Sequence, residues 1–281
     1  MRELPRSIQD KIDRYEPVTT DGITTYPILV RDYRLFDIGR IALEFVQQSL
    51  PVALVSIPLL DAFYRMDQQT IEEQSDGPLL LSSVLVALRL ALRLGVGDDA
   101  AEMMKTTRIK ADEERGVLHS IIFYTEDDAI EITPRRFQRL RPVIAAQNGA
   151  VVPSDTANPQ ILEMERLAAQ KETKHMDPKL CDKIIFAAQS TGVPEETVWD
   201  WPILKLERNA ALAQRRLDYL AASIGQMSGL VQYKDGSPVP SPYYARKQSG
   251  LRSMQSLGAV GDGRAAQAVQ NAETQNSTEK E

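Results

Sequence analysis

The order of apolar and polar positions divides the chain into a mixed first half and a helical second half. Residues 1–14 are polar and predict a short helix or frayed arm. Two β-prone runs between Tyr15 and Val30 flank Asp21-Gly22. That pair readily takes the positive φ angles of a tight hairpin turn, so a hairpin is expected there. Pro17 and Pro27 cannot donate to a ladder, which places those strands at a sheet edge. From Asp32 the period becomes helical, with Leu35, Ile38, Ala42, Phe45 and Val46 spaced by threes and fours as the expected inward face. A second helix from about Pro58 to Met66 turns Leu59, Leu60 and Phe63 inward. Asp76-Gly77-Pro78 introduces an apolar helix running to Leu94, which Gly95 and Gly97 end.

Between Thr106 and Thr133 the period returns to two. Strands are expected at Arg108–Lys110, Val117–Thr125 and Ala129–Thr133, with turns at Glu113–Gly116 and Glu126–Asp128. This meander is expected to join the first hairpin in one sheet. Thr133-Pro134 supplies a hydroxyl cap followed by proline at the first helical position, and Asn148-Gly149 is the matching stop. The segment 150–158, rich in Pro, Ser, Asp and Asn, reads as a linker. Only helices follow: from Asn158-Pro159, from Asp177-Pro178 to Gly192, from Pro194 through Trp199, and a long amphipathic one from about Pro202 to Met227. The last carries Ile203, Leu206, Leu217, Leu220 and Ile224 on one face. After Gly229 comes a turn-rich extended piece. From about Ser249 the chain is too polar to offset its ordering entropy and reads as disordered.

The expected fold class is therefore α+β and predominantly helical: a small antiparallel sheet, from a hairpin near 15–30 and a meander near 106–133, packed with helices. An all-helical C-terminal part and a disordered tail complete it. The expected organisation is an N-terminal domain at 1–149, a linker at 150–158, a helical domain at 159–248 and a tail at 249–281.

Composition narrows the function. A net charge of -6 argues against broad nucleic-acid or anionic-membrane binding, since both need a basic field. The N-terminus lacks the apolar core of a signal peptide. The most apolar stretch, Leu79–Leu94, contains Arg89 and Arg93 and is short for a membrane span; it reads as a core helix whose arginines reach solvent along one edge. The single cysteine, Cys181, forms no internal disulfide, suits a reducing cytosol and is expected to be buried as a small hydrophobe.

Candidate chemistry is sparse. His119 and His175, with that one cysteine, lack the close paired spacing of a zinc motif. The acidic pairs Asp98-Asp99, Glu113-Glu114, Asp127-Asp128 and Glu195-Glu196 fall in turns or helix starts, where they read as solvated or helix-dipole groups. No nucleophile elbow or phosphate-cradling glycine loop occurs. Catalytic, cofactor and metal assignments are therefore none. Ala188, Gly192 and Val198 carry the packing spacing of a helix-turn-helix, but its reading end would be Glu195-Glu196-Thr197, whose carboxylates repel phosphate. Trp199 and Trp201 lie two residues apart with Pro202 next, so a bend is expected; one or both read as anchors of the C-terminal helices in the core, or one as a contact for a partner.

Three runs carry a family likeness: Tyr26-Pro-Ile-Leu-Val-Arg-Asp-Tyr33, Leu140-Arg-Pro-Val-Ile-Ala-Ala-Gln-Asn-Gly149, and Thr191-Gly-Val followed by Glu196-Thr-Val-Trp-Asp-Trp-Pro-Ile-Leu-Lys-Leu-Glu-Arg208. Over roughly residues 15–245 the chain resembles tail assembly chaperone-type proteins of long-tailed phages and prophages. The resemblance implies a non-enzymatic protein of the bacterial host cytosol that holds a long helical tape-measure protein until tail-tube subunits surround it. Such proteins are often smaller and almost wholly helical, unlike the strand-rich segment 106–133 here. A helix-holding groove uses Leu, Met and aromatic side chains, so Met103, Met104 and Phe63 join Trp199 and Trp201 as candidate partner contacts. A structural or connector component of the virion and a helix-turn-helix regulator are the competing readings.

Overall fold

Hairpin and meander form separately, each from local pairing. The computed structural model describes residues 4–73, 79–95, 105–112, 115–125, 128–153, 164 and 179–227. Strands β1 (Val18–Thr20) and β2 (Ile23–Thr25) pair antiparallel, with Val18 opposite Thr25. Asp21 and Gly22 turn between them at φ 51° and 78°, as the dipeptide predicts. Strands β3 (Thr107–Asp112), β4 (Val117–Tyr124) and β5 (Ala129–Ile132) make the expected meander. It turns Leu118, Ile121 and Phe123 into the main core.

The expected single sheet is corrected: the two sheets share no strand pairing. Beyond β2 the chain finds other partners. The Tyr26 N–H bonds the Ala91 carbonyl at 2.7 Å, and Leu29 bridges Pro202 antiparallel. Backbone groups satisfied in this way have nothing left to offer a third strand.

Helices make up most of the remaining described chain. In chain order they are α1 (Arg6–Asp13), α2 (Tyr33–Leu43), α3 (Val52–Val55), α4 (Leu59–Glu72), α5 (Leu80–Ala91) and α6 (Pro134–Gln147). Next come α7 (Leu180–Thr191), α8 (Glu195–Val198) and α9 (Ile203–Met227). The main core gathers Phe36, Phe63, Leu88, Ile121, Phe123 and Phe137 from α2, α4, α5, β4 and α6. Thr133 caps α6, its hydroxyl accepting the Arg136 N–H.

The inward face of α2 keeps Ala42 in the core, with Leu35 and Phe45 partly buried against it as predicted, but is turned further toward Phe36 and Gly39. Phe36, Gly39, Ala42 and Leu43 are buried, while Ile38 is 46% exposed. Gly39 explains the rotation. A Cβ there would lie 2.9 Å from Ala87, so the missing side chain lets α2 press its backbone against α5.

Arg89 is also corrected. It is buried, not solvent-facing, and donates to the carbonyls of Leu94 and Gly95 and the hydroxyls of Thr106 and Thr107. A guanidinium with this many acceptors is fully employed inside, closing the end of α5 onto β3. At the other end of α5, the Asp67 carboxylate reaches from α4 to accept the Leu80 and Leu81 N–H groups, each at 2.8 Å.

Helices α7, α8 and the start of α9 belong to the same compact unit as the sheets, which spans Met1–Gln214; a second unit spans Arg215–Glu281. Ile184, Ala187, Ala188, Val198, Trp201 and Leu206 enclose Val30 in one cluster, so the first half supplies a core residue to the second. Gly192 ends α7 at φ 72°, and Ala188 and Val198 pack as their spacing predicts. Cys181 is exposed, against expectation, because α7 turns Ile184, Ala187 and Ala188 inward instead. The helix expected from Asn158-Pro159, most of the predicted linker, the extended piece after Gly229 and the tail from 249 lie outside the described residues.

Candidate interaction surface

Segment 27–32 organises the surface. It leaves the hairpin and is fastened on both flanks. On one flank, Val30 donates to the Trp201 carbonyl at 2.8 Å and Arg31 to that of Trp199 at 3.1 Å. Ile203 donates in turn to Ile28 at 2.9 Å. On the other flank, the Asn148 side chain accepts the Ile28 N–H at 2.8 Å. Gln147 holds the hairpin nearby, exchanging hydrogen bonds with the Thr25 hydroxyl and carbonyl. The three runs singled out by resemblance, Tyr26–Tyr33, Leu140–Gly149 and Glu196–Arg208, therefore meet in one place.

This zipper fixes the tryptophans in opposite environments. Trp201 is buried beside Val30, with the Lys205 ammonium 4.2 Å from the centre of its ring. Trp199 stays 37% exposed on a turn whose backbone is pinned and whose neighbour Asp200 pairs with Arg31 at 3.2 Å. Both lie on the turn between α8 and α9, just before Pro202.

Arg31 also lines a half-open depression of about 310 Å³ with Pro27, Ile28, Leu29, Asp32, Leu35, Leu90, Arg93 and Gly95. The Arg93 guanidinium stacks 4.3 Å from the centre of the Tyr26 ring. Burial pushes the Asp32 carboxyl above the ordinary carboxylate range, against the opposing pull of Arg31. The hollow thus brings one carboxylate and two guanidiniums together between leucine walls. Its parts come from 27–35 and 90–95, so no local motif announces it. The only trace in the sequence is Arg31-Asp32 within a run already notable for its likeness.

The remaining sequence candidates lie elsewhere. Phe63 has no exposed surface and packs edge-to-face on Phe45 at 5.0 Å, so its place is the core rather than a contact surface. Met103 and Met104 lie outside the described residues. His119, Glu195 and Glu196 are exposed. Helix α8 is four residues long and begins with those two carboxylates, which leaves it short of both the length and the charge to read a groove. Among the described residues no cluster of three or more His, Cys, Asp or Glu side chains could hold a metal ion. Among them, too, no helix is long and apolar enough to cross a membrane.

The architecture defines an α+β, predominantly helical protein, and no known protein family, curated protein or solved structure matches the chain.

Proposed function

We propose that this protein is a non-enzymatic assembly protein that works by holding another protein, namely a phage or prophage tail assembly chaperone acting on a long helical tape-measure protein in the bacterial cytosol. The observation that carries this reading is Trp199, presented at the surface on a turn whose backbone is bonded in place beside a side-chain-sized hollow. Tryptophan is enriched where binding energy concentrates, and a pinned backbone lowers the ordering cost of association. The charged groups buried in the described residues are spent on architecture: Arg89 closes α5, Asp67 starts it, and Arg141 donates to the Leu43 and Phe45 carbonyls after α2.

Co-expression with a long helical tape-measure protein of the same phage or prophage tests the reading. A stable complex is expected, and Trp199→Ala weakens it at least tenfold, about 1.4 kcal/mol. The same substitution leaves the fold within about 1 kcal/mol, since the side chain is partly exposed. Absence of a complex, or persistence of the protein in finished virions, would count against a chaperone; the second result would indicate a connector.

A further inference from the structure

The hollow beside segment 27–32 holds two charged side chains that are left unpaired. Arg31 is engaged with Asp200 at 3.2 Å. Asp32 and Arg93 line the same hollow but form no ion pair with each other. Among the described residues neither side chain has a hydrogen-bond partner. Asp32 stands at the cap position of α2, yet its carboxylate accepts no capping N–H. Partial burial strips water from it and disfavours its charge. Arg93 lies 4.3 Å from the centre of the Tyr26 ring, a contact that gives its N–H groups no oxygen to bond. Much of the remaining wall is apolar, with Leu35 from α2 and Leu90 from α5.

We infer that this hollow is a binding site for a small zwitterion with an apolar body, of which an aliphatic α-amino acid is the simplest. Its ammonium meets Asp32, its carboxylate meets Arg93, and its side chain lies on the two leucines. The charge pattern selects this class. An anion alone would answer Arg93 and be repelled by Asp32; a cation alone would do the reverse. A ligand carrying both signs completes both groups, and a charge-assisted hydrogen bond beside an apolar wall is stronger than one in open water. Size selects it too, since about 310 Å³ lies at the lower end of small-molecule sites and suits a body of one amino acid. Trp199 does not line the hollow, so the inference stands apart from the proposed partner contact.

Titration of the isotope-labelled full chain with leucine, followed by amide NMR, tests this. Saturable shifts are expected at residues 28–35 and 90–95. Isocaproate, which lacks the ammonium, and isoamylamine, which lacks the carboxylate, should each bind at least about tenfold more weakly. Asp32→Asn and Arg93→Gln should each weaken leucine binding to a similar extent, with the melting temperature retained. Trp199→Ala leaves leucine binding unchanged, which separates this site from the partner contact. Absence of a saturable shift in the hollow overturns the inference. So does isocaproate or isoamylamine matching leucine, or leucine binding that survives both substitutions.

Discussion

Single side chains carry bonds that local sequence does not reveal. Asp67 caps α5 from another helix, accepting two buried N–H groups. Asp67→Ala strips the cap and leaves those donors without an acceptor, so a loss of about 2–3 kcal/mol is expected in chemical denaturation. Gly39→Ala sets a helix-propensity gain of about 1 kcal/mol against the overpacking cost of about 1–3 kcal/mol. Because the new Cβ meets Ala87 backbone atoms, which cannot swing aside, the clash wins and the melting temperature falls. An unchanged or higher melting point would mean that α2 and α5 can slide. Asp13 sets a pH dependence. Its hydrogen bond from Arg208 holds the carboxyl below its ordinary value of 3.8. A depressed carboxylate stabilises the fold above its unfolded pKa, and the contribution is lost as pH falls through the folded value. Wild type and Asp13→Asn should therefore differ at neutral pH and converge below 3.8 in an acid titration. Both partners are about half exposed, so the difference stays under about 1 kcal/mol.

At the scale of elements, what could be read was what is local. The Asp21-Gly22 turn, the Thr133-Pro134 start and the Gly192 stop each depend on a few adjacent residues, and the structure has all three. Periodicity located α2 and part of its inward face, Leu35, Ala42 and Phe45, but missed the share around Gly39, which contributes by lacking a side chain. Arg89 was misread for a related reason: a charge reads as solvent-facing until its acceptors are known, and these come from 94–95 and 106–107. Arg89→Met should therefore cost at least about 2 kcal/mol by leaving carbonyls buried and unbonded. Hydrogen exchange should then rise first at β3, and uniform exchange across the meander would contradict that coupling. The turn at the tryptophan pair was legible from Pro202, whereas the Arg31–Asp32–Arg93 hollow needed segments some sixty residues apart.

At the scale of the whole molecule, the composition shift at 150–158 suggests an N-terminal and a helical C-terminal part, and Val30 of the first sits among side chains from 184–206. Chain 1–149 alone is expected to melt broadly in calorimetry, whereas 1–227 melts as a cooperative transition. A sharp transition for 1–149 would show that the zipper is dispensable. The bonds between 28–31 and 199–203 also impose an order on synthesis. A nascent chain whose hairpin has emerged from the ribosome can close it locally, yet the strip beside the hairpin has no mate. At about 5–20 residues per second, the ribosome needs several more seconds to deliver it. During that interval Val30 and its neighbours are open to chaperones, proteases and neighbouring polysomes, so slow codons between 150 and 203 should lower the soluble yield without altering the finished protein.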